Sequence, residues 1–179
     1  KTSFSDSLRT VLRQDPDIIL VGEIRDRETA EIAMQAGQTG HYVLSTIHTI
    51  DSIEVITRLR KIGVSDYDIA STLATSLSQR LVRKVCPKCA VKREYTEEEK
   101  NIINGIAKKY GVEYDFTGKY TYDTVGCQYC NDSGFYGRIG IFEILDMSEA
   151  IKELVIKGES SLEIRKRAME EGYKPLVID

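Results

Sequence analysis

The chain has 179 residues, of which 30% are charged and 41% belong to the hydrophobic set. This length suits one moderate domain or one domain with an appendage, and the apolar fraction argues against global disorder. The formal net charge of −3 disfavours a protein that binds nucleic acid or an anionic membrane through overall charge, and the apolar runs are too short to cross a bilayer. Because the sequence starts at Lys1 and not at Met, we expect it to be a portion of a longer protein.

Helices and strands alternate in the first half of the chain. The predicted elements, in chain order, are helix 5–14, strand 18–21, helix 26–37, strand 41–46, helix 51–63, a helix 66–77 opened by Asp66 or Asp68, and strand 81–85. Asp26 and Asp51 are the expected caps of the helices that follow them, and Asp51 forms a capping-box pattern with Glu54. The continuous apolar run 18–21 predicts a strand buried on both faces, as in a parallel sheet. This alternation indicates an α/β layered domain.

The character of the sequence changes after Val85. The predicted elements are helix 96–110, which opens with a capping box at Thr96, a weakly indicated strand 119–122, strand 139–145, and two short helices that are separated by Gly158 and end near Gly172. We expect three parts: a first part over 1–85, a cysteine-bearing part over 86–130, and a return strand with C-terminal helices over 131–179.

Polar residues follow the first predicted strand. Glu23, Arg25 and Asp26 come directly after the apolar run that ends at Val21 and Gly22. Because ligands bind at the carboxyl edge of open α/β sheets, a carboxylate at Glu23 can orient a water molecule or help to hold Mg²⁺ beside a phosphate. The alternative interpretation is a solvated turn followed by a helix cap.

The second predicted strand also ends in polar residues. Thr46, His48 and Thr49 place hydroxyl groups and an imidazole at its carboxyl end, where a histidine can donate a hydrogen bond to a terminal phosphate. The other histidine of the chain, His41, lies at the start of the same predicted strand and is more simply explained as a structural residue. Two adjacent strand ends with polar groups favour a joint site at Glu23 and His48 without naming a reaction.

Four cysteines form two Cys-x-x-Cys pairs. Cys86 and Cys89 form the first pair, and Cys127 and Cys130 form the second. In a chain without a predicted export signal, two such pairs favour a metal site over disulfides. Four thiolates complete a closed tetrahedral site that suits structural Zn²⁺ best. A redox-active Cys-x-x-Cys pair and an iron–sulfur cluster are the weaker alternatives.

A local run of basic residues surrounds the first cysteine pair. Its members are Arg80, Arg83, Lys84, Lys88, Lys92 and Arg93. Such a run is usually a solvated face, and a surface for an acidic partner or for the phosphates of a neighbouring subunit is the alternative.

Five stretches of the chain carry a recognisable combination of motifs. They are residues 8–17, 21–26, 39–49, 79–83 and 137–143. Together they closely resemble the secretion ATPase superfamily, and within it the type II secretion and type IV pilus assembly ATPases. The resemblance covers essentially the whole chain, and its motifs are specific in combination.

This resemblance implies an ATP site. In the family, the strand that ends at Glu23 is the Walker B element, which implies that this carboxylate activates the attacking water or helps to organise Mg²⁺. The second predicted strand and the histidine that follows it belong to the family's histidine box, which implies that His48 senses or contacts the terminal phosphate. The resemblance implies further nucleotide-binding positions at Gly22, Arg25, His41 and Arg80.

The resemblance also implies a fold, partners and a location. The expected fold is α/β, the latter part of a RecA-like ATPase sheet domain with a small tetracysteine zinc subdomain and C-terminal helices. Family members are hexameric motors that pair with an inner-membrane platform protein on the cytoplasmic face of that membrane. Association with the membrane is therefore expected through partners, and no nucleic acid is expected. The tetracysteine site is typical of assembly and secretion members, which favours an extension or secretion role over retraction.

One family motif is missing. No Gly-x-x-x-x-Gly-Lys-Ser/Thr sequence occurs in the chain, so the phosphate-binding loop is not among its residues. We expect the chain to be the carboxyl-terminal part of an ATPase that couples ATP hydrolysis to pilus assembly or protein secretion, and to be inactive by itself. The competing hypothesis is a zinc-stabilised, non-enzymatic docking module for the platform protein, with the stretch 80–93 as its contact surface.

Overall fold

A computed structural model describes residues 4–177. The elements are α1 (Phe4–Leu12), β1 (Ile18–Val21), α2 (Arg27–Gln38), β2 (Tyr42–Ser45), α3 (Glu54–Lys61), α4 (Asp66–Thr72), β3 (Thr75–Val85), β4 (Ala90–Arg93), α5 (Glu97–Lys109), β5 (Thr121–Thr124), a short 3₁₀ helix (Gln128–Cys130), β6 (Phe135–Asp146), α6 (Glu149–Ile156) and α7 (Ser161–Glu170). Helices and strands alternate over the first part of the chain, and this mixed α/β architecture confirms the predicted fold class.

The described residues form two compact units. The sheet unit comprises the described residues of Lys1–Ser78 together with Glu143–Lys174. The cysteine unit comprises Gln79–Phe142 and the described residues of Pro175–Asp179. Strands β3 and β6 are hydrogen-bonded neighbours, and each contributes residues to both units. The three-part division at residues 85 and 130 stays a prediction.

Strands β1 and β2 form a parallel pair. Their register places Ile18 beside Tyr42 and Val21 beside Ser45. Burial alternates along β1, because Val21 is 1% exposed whereas Leu20 is 76% exposed. The prediction that β1 is buried on both faces is therefore wrong. The physical reason is that the described helices cover only one face of this two-stranded sheet.

The helices of the sheet unit pack around one apolar core. The largest fully buried side chains in this core are Val21, Ile53, Ile56, Leu59, Ile69, Leu145, Ile151, Val155 and Ile164. Helices α2 and α4 approach each other closely at Gly37, where an added Cβ atom would lie 2.5 Å from Thr72 Cγ2. A glycine is therefore needed at this position for the two helices to pack as they do.

Helix α4 is shorter than predicted. It ends at Thr72, whereas the sequence pattern predicts a helix over 66–77. Leu73 is already extended, with φ −68° and ψ 114°, and the chain continues as β3, which pairs with β6. This strand also starts earlier than the predicted strand 81–85. Pairing between strands therefore outweighs the helical spacing of the leucines in this segment.

The predicted caps of α2 and α5 are confirmed, and the predicted cap of α4 is wrong. The side chain of Asp26 caps α2, and Thr96 forms the complete capping box at the start of α5. The cap of α4 is Ser65, and neither Asp66 nor Asp68 occupies that position. Ser65 has the extended backbone of a cap residue, and its hydroxyl accepts the N–H of Asp68 at 3.1 Å.

The cysteine unit contains a pair of strands that the sequence predicts only in part. Strands β4 and β5 are antiparallel, with Ala90 beside Thr124 and Arg93 beside Thr121. The weakly predicted strand 119–122 overlaps β5, whereas β4 is not predicted at all. The short β4 carries two basic residues and lacks the apolar alternation on which the prediction depends.

The C-terminal helices follow the prediction. Gly158 lies between α6 and α7, and Gly172 comes just after α7. Strand β6 begins before the predicted strand 139–145 and ends one residue after it. Within residues 4–177, every helix is too short or too polar to cross a bilayer.

Candidate functional site

The parallel pairing of β1 and β2 brings their carboxyl ends together. The hydroxyl of Thr46 donates to the carbonyl of Gly22 at 2.7 Å, and the N–H of Ile24 donates to the carbonyl of Thr46 at 2.9 Å. These hydrogen bonds tie the residues that follow β1 to those that follow β2. Glu23 and His48 lie on the two connected segments, so their side chains meet at one edge of the sheet.

Glu23 is the centre of the sheet-edge site, which consists of Glu23, Arg25 and His48. Its Oε1 lies 2.5 Å from the Arg25 guanidinium, and its Oε2 lies 3.2 Å from Nε2 of His48. Oε2 is buried, yet none of the described groups donates a well-oriented hydrogen bond to it. A buried carboxylate oxygen without a donor is a position that a water molecule or a cation can satisfy.

The neighbours of Glu23 keep its carboxylate ionised. The hydrogen bond and the charge of Arg25 lower the pKa of Glu23, partial burial opposes the shift, and His48 adds a smaller lowering effect. The same contact raises the pKa of Arg25. Glu23 is therefore an anion at neutral pH, which can accept hydrogen bonds from water or bind a divalent cation. The His48 side chain is 85% exposed, so a ligand can reach the imidazole from solvent.

His41 lies at the opposite end of β2 from the sheet-edge site. It precedes the strand, and its Nδ1 lies 3.1 Å from both the carbonyl of Ala36 and the hydroxyl of Thr39 at the end of α2. These contacts agree with the simpler structural interpretation of His41. Its nucleotide contact stays a prediction, and the geometry does not bring His41 to Glu23.

The remaining predicted nucleotide-binding residues are divided between the two units. Gly22 and Arg25 lie at the sheet-edge site. A Cβ atom added to Gly22 would have no neighbour within 4 Å, so no described residue explains why this position is a glycine. Arg80 lies in β3 within the cysteine unit, where its guanidinium donates to the carbonyl of Gln79 at 2.9 Å. The nucleotide-binding roles of all three residues stay predictions.

The second candidate site is the cysteine cluster, formed by Cys86, Cys89, Cys127 and Cys130. The four sulfur atoms all lie within 4.8 Å of one another, and three of the pairs are 3.8 or 3.9 Å apart. Disulfide sulfurs would be about 2.05 Å apart. Tetrahedral Zn–S bonds of about 2.3 Å place sulfurs about 3.8 Å apart. The geometry therefore fits a closed tetrahedral metal site and not a pair of disulfides.

The pKa values of these thiols differ, and a bound cation would favour the ionised form of all four. Burial raises the pKa of Cys89 to about 12. Although burial also acts to raise it, backbone N–H groups of Cys127 and Gly134 lower the pKa of Cys130 to about 6. Four thiols at this separation cannot all ionise without a compensating positive charge. The donor set therefore fits a thiolate-bound metal such as Zn²⁺.

The sequence analysis does not predict the contacts that hold the segment around His48. The side chain of Asp51, which the sequence identifies only as a helix cap, accepts a hydrogen bond from Arg165 at 2.6 Å. The N–H of Ser52 donates to the carboxylate of Glu143 at 2.6 Å. These partners are 114 and 91 positions apart in the chain. The only signal for them is that Glu143 lies in the family-like stretch 137–143.

Comparison with known proteins identifies the family to which the chain belongs. The chain belongs to the Type II/IV secretion system protein family, which matches residues 1–178. The predicted family is therefore confirmed.

Individual relatives are named as pilus assembly and secretion ATPases. The chain is 43% identical over 175 residues to the type IV pilus assembly ATPase PilB of Myxococcus xanthus, with 97% of this chain and 30% of that protein covered. It is 42% identical over 168 residues to the type II secretion system ATPase E of Vibrio cholerae, with 93% of this chain and 32% of that protein covered. The chain thus spans about a third of the length of these curated relatives.

Solved structures share the fold. The ATPase DotB of Legionella pneumophila superposes with a TM-score of 0.59 and 22% identity, over 97% of this chain and 36% of that chain. The pilus retraction motor PilT, solved with bound ADP, superposes with a TM-score of 0.56 and 24% identity, over 98% of this chain and 42% of that chain. At these identities the likeness concerns the fold alone, and it agrees with the predicted ATPase architecture.

Proposed function

We propose that the sheet-edge site is part of the ATP-hydrolysing site of a motor for type IV pilus assembly or type II secretion. Family membership supports the ATPase class, because the relatives are named as ATPases of these two systems. The observation that carries the proposal is the buried Oε2 of Glu23, which no described donor satisfies and which lies 3.2 Å from Nε2 of His48.

Each residue of the sheet-edge site has a distinct role in this proposal. Arg25 occupies Oε1 of Glu23 and fixes the orientation of the carboxylate. Oε2 is then left to orient the attacking water or to contribute to a magnesium site. His48 donates a hydrogen bond to the terminal phosphate, because its exposed ring is accessible to a ligand. Mg²⁺, when bound, neutralises charge on the triphosphate.

The 179 residues are expected not to hydrolyse ATP by themselves. They include no phosphate-binding loop sequence, so the backbone N–H groups and the lysine that hold the β- and γ-phosphates must come from other residues. Positioning and charge stabilisation supply most of the catalysis in phosphoryl transfer. A carboxylate and an imidazole without that loop are therefore not a complete site.

The proposal extends to a metal, to partners and to a location. We assign structural Zn²⁺ to the cysteine cluster because the sulfur separations match a tetrahedral thiolate site. Following the resemblance, the proposed assembly is a homohexamer that acts with an inner-membrane platform protein. Its proposed location is the cytoplasmic face of that membrane, with association through the partner and without nucleic acid.

A chimera tests the catalytic part of the proposal. Residues 4–177 replace the matching part of Myxococcus xanthus PilB, and ATP hydrolysis by the purified protein is measured. Glu23→Gln keeps the shape of the side chain but removes its charge, so kcat should fall by about 100-fold or more. His48→Ala removes a phosphate donor and should lower kcat by about 100-fold. Glu153→Gln is the matched control, because Glu153 lies on an exposed part of α6.

The outcomes separate the proposal from its rival. Unchanged hydrolysis in both Glu23→Gln and His48→Ala would contradict the ATP-site proposal. The chain would then be better described as a zinc-stabilised, non-enzymatic docking module for a membrane platform protein. Turnover by the isolated 179 residues that disappears in Glu23→Gln would instead show that the chain contains a complete site.

A further inference from the structure

The position of His48 depends on its backbone more than on packing of its side chain. The side chain is 85% exposed, so few neighbours restrict the ring beside Glu23. His48 lies in the connection between β2 and α3, residues 46–53, which we call the His48 loop. The distance between the imidazole and the Glu23 carboxylate is therefore set by whatever fixes this loop.

Local hydrogen bonds fix part of the His48 loop. At its start, Thr46 is bonded to the segment that follows β1. Near its end, Oδ1 of Asp51 accepts the N–H groups of Ile53 at 3.0 Å and Glu54 at 2.9 Å. Asp51 thus accepts hydrogen bonds from the start of α3, but the prediction that it is the cap residue is wrong, because α3 begins at Glu54 and its cap residue is Ile53. The hydroxyl of Thr49, next to His48, donates to the carbonyl of Asp51 at 2.9 Å.

Distant parts of the sheet unit fix the rest of the loop. The carboxylate of Glu143, near the end of β6, accepts the N–H of Ser52 at 2.6 Å. The hydroxyl groups of Ser52 and Tyr173 lie 3.0 Å apart. Arg165, in α7, donates to Oδ2 of Asp51 at 2.6 Å. Two consecutive residues of the loop are therefore held by β6, by α7 and by the segment after α7.

Burial of Glu143 argues that its contact with the loop is specific. Glu143 is 3% exposed, and burial of a carboxylate is unfavourable unless hydrogen bonds compensate for the lost hydration. An apolar side chain of similar size would fill the same space without that cost. A short hydrogen bond from a backbone N–H to a carboxylate is among the stronger contacts that can fix a loop. The burial of this carboxylate therefore indicates a role in polar contacts, of which the Ser52 N–H is one, and not in packing alone.

We infer that Glu143 is a positioning residue, which fixes Ser52 and thereby holds the His48 loop so that the imidazole lies beside Glu23. The catalytic meaning of this inference rests on the proposed function. The positioning itself can be observed without any hydrolysis.

NMR of the 179-residue chain tests the positioning directly. The chain has two histidines, so histidine labelling resolves His48 with His41 as an internal reference. At one fixed pH, Glu23→Gln should shift the His48 ring signals. Glu143→Asp keeps the charge but shortens the side chain by one methylene, so the carboxylate loses its reach to the loop. In that background the His48 signals should move, and the response to Glu23→Gln should fall to less than about half of its original size because the ring no longer lies beside that carboxylate.

Hydrolysis by the PilB chimera tests the consequence for catalysis. Glu143→Asp should lower kcat by about 10-fold to 100-fold through displacement of His48, with a KM for ATP within about 2-fold of the parent. Glu143→Gln keeps the length of the side chain and an oxygen that accepts the Ser52 N–H, so it should retain kcat within about 3-fold. Glu153→Asp is the matched control.

Each result supports or overturns the inference. Folded Glu143→Asp protein with wild-type His48 signals would overturn it. If Glu143→Asp does not fold, Tyr173→Phe removes only the hydroxyl beside Ser52 and should move the His48 signals in the same direction by a smaller amount. Wild-type signals in that variant would then overturn the inference. Failure of the proposed function looks different, because His48→Ala would keep full hydrolysis whatever the NMR shows.

Discussion

The cysteine cluster and the sheet-edge site differ in how completely this chain forms them. The cluster gathers four ligands within 4.8 Å of one another, which leaves a bound metal no open position. The sheet-edge site contains a buried oxygen of Glu23 that receives no well-oriented hydrogen bond from residues 4–177, and an imidazole of His48 that is 85% exposed. The cluster can thus be completed by one metal ion, whereas the polar groups of the sheet-edge site remain available to a ligand.

This difference is the one expected between a structural metal site and a site that binds a reacting ligand. A structural metal site gains from closure, because the free energy of metal binding becomes free energy of folding. A site that binds a reacting ligand must keep groups available until the ligand arrives, as catalytic metal sites keep an open position. Under the proposed function, the chain would combine a metal site that stabilises its own unit with a nucleotide site that depends on other residues for completion.

The largest expected effect comes from breaking the cysteine cluster. Cys127→Ser removes a soft ligand from a closed site, and binding of structural zinc contributes on the order of 10 kcal/mol to the folding of small zinc domains. Stoichiometric zinc and amide-exchange protection within Gln79–Phe142 should both be lost. The core of the sheet unit around Ile56 should keep its protection, because it contains none of the ligands. Metal analysis and hydrogen-exchange mass spectrometry measure the two effects.

Two results would contradict this part of the comparison. Reduced wild-type protein without stoichiometric zinc would show that the cluster is not a zinc site. Retained zinc with unchanged protection in Cys127→Ser would show that the fourth ligand is dispensable. Removal of the metal with a chelator should reproduce the Cys127→Ser exchange pattern, and it provides a control without any substitution.

The sequence predicts the cysteine cluster well because the spacing of the cysteines within each pair is a local pattern. Each Cys-x-x-Cys pair brings two sulfurs together through one turn of backbone, and the preference of zinc for four thiolates supplies the rest. The proximity of Glu23 and His48 could also be predicted, because parallel strands place their carboxyl ends at one edge. A carboxylate and an imidazole at a strand end predict groups that can act beside a phosphate, whereas the assignment of Glu23 and His48 to ATP hydrolysis came only from the family resemblance and stays a prediction.

Other features depend on tertiary contacts that no local pattern contains. Leu20 is exposed because the helices cover only the other face of the sheet. A continuous apolar run in the sequence does not predict which face will be covered. The end of α4 at Thr72 follows from the pairing of β3 with β6. The contact between Ser52 and Glu143 joins residues 91 positions apart, so the support of the His48 loop could not be predicted from either segment alone.

Two helix glycines provide a smaller contrast between the units. A Cβ atom at Gly37 would lie 2.5 Å from Thr72 Cγ2, whereas one at Gly105 would have no neighbour within 4 Å. Gly37→Ala should lower the free energy of unfolding of the sheet unit by about 1–3 kcal/mol because of overpacking. Gly105→Ala should raise that of the cysteine unit by up to about 1 kcal/mol, because alanine favours α5 more than glycine does. Urea unfolding, followed by amide exchange in each unit, measures both values.

A second substitution checks the cause assigned to Gly37. Thr72→Ser removes the methyl group that an alanine side chain would strike, so it should recover most of the stability lost in Gly37→Ala. Losses that simply add in the double variant would show that the close approach of α2 and α4 is not the reason. The double variant therefore separates overpacking from a general intolerance of substitution in α2.

The smallest expected effect concerns Tyr173, which helps to hold the His48 loop. Burial raises the pKa of Tyr173 to about 12, and the hydrogen bond to Ser52 acts in the opposite direction. The folded state therefore favours the neutral phenol. Its contribution to stability is complete below the pKa of about 10 in the unfolded chain, and it is lost as the pH rises from about 10 to about 12.

Tyr173→Phe should separate this contribution from the rest of the alkaline transition. At pH 7 the variant should be less stable by about 1 kcal/mol, because Ser52 loses a hydrogen-bond partner. Between about pH 10 and 12 the stability of its sheet unit should fall less steeply than in the wild type, since no buried phenol remains to ionise. Tyr67→Phe is the matched control, because Tyr67 is exposed and lies in the sheet unit, as Tyr173 does. Identical pH dependence in Tyr173→Phe and wild type would show that Tyr173 ionises as a solvated side chain does, which would contradict its assignment as a buried support of the His48 loop.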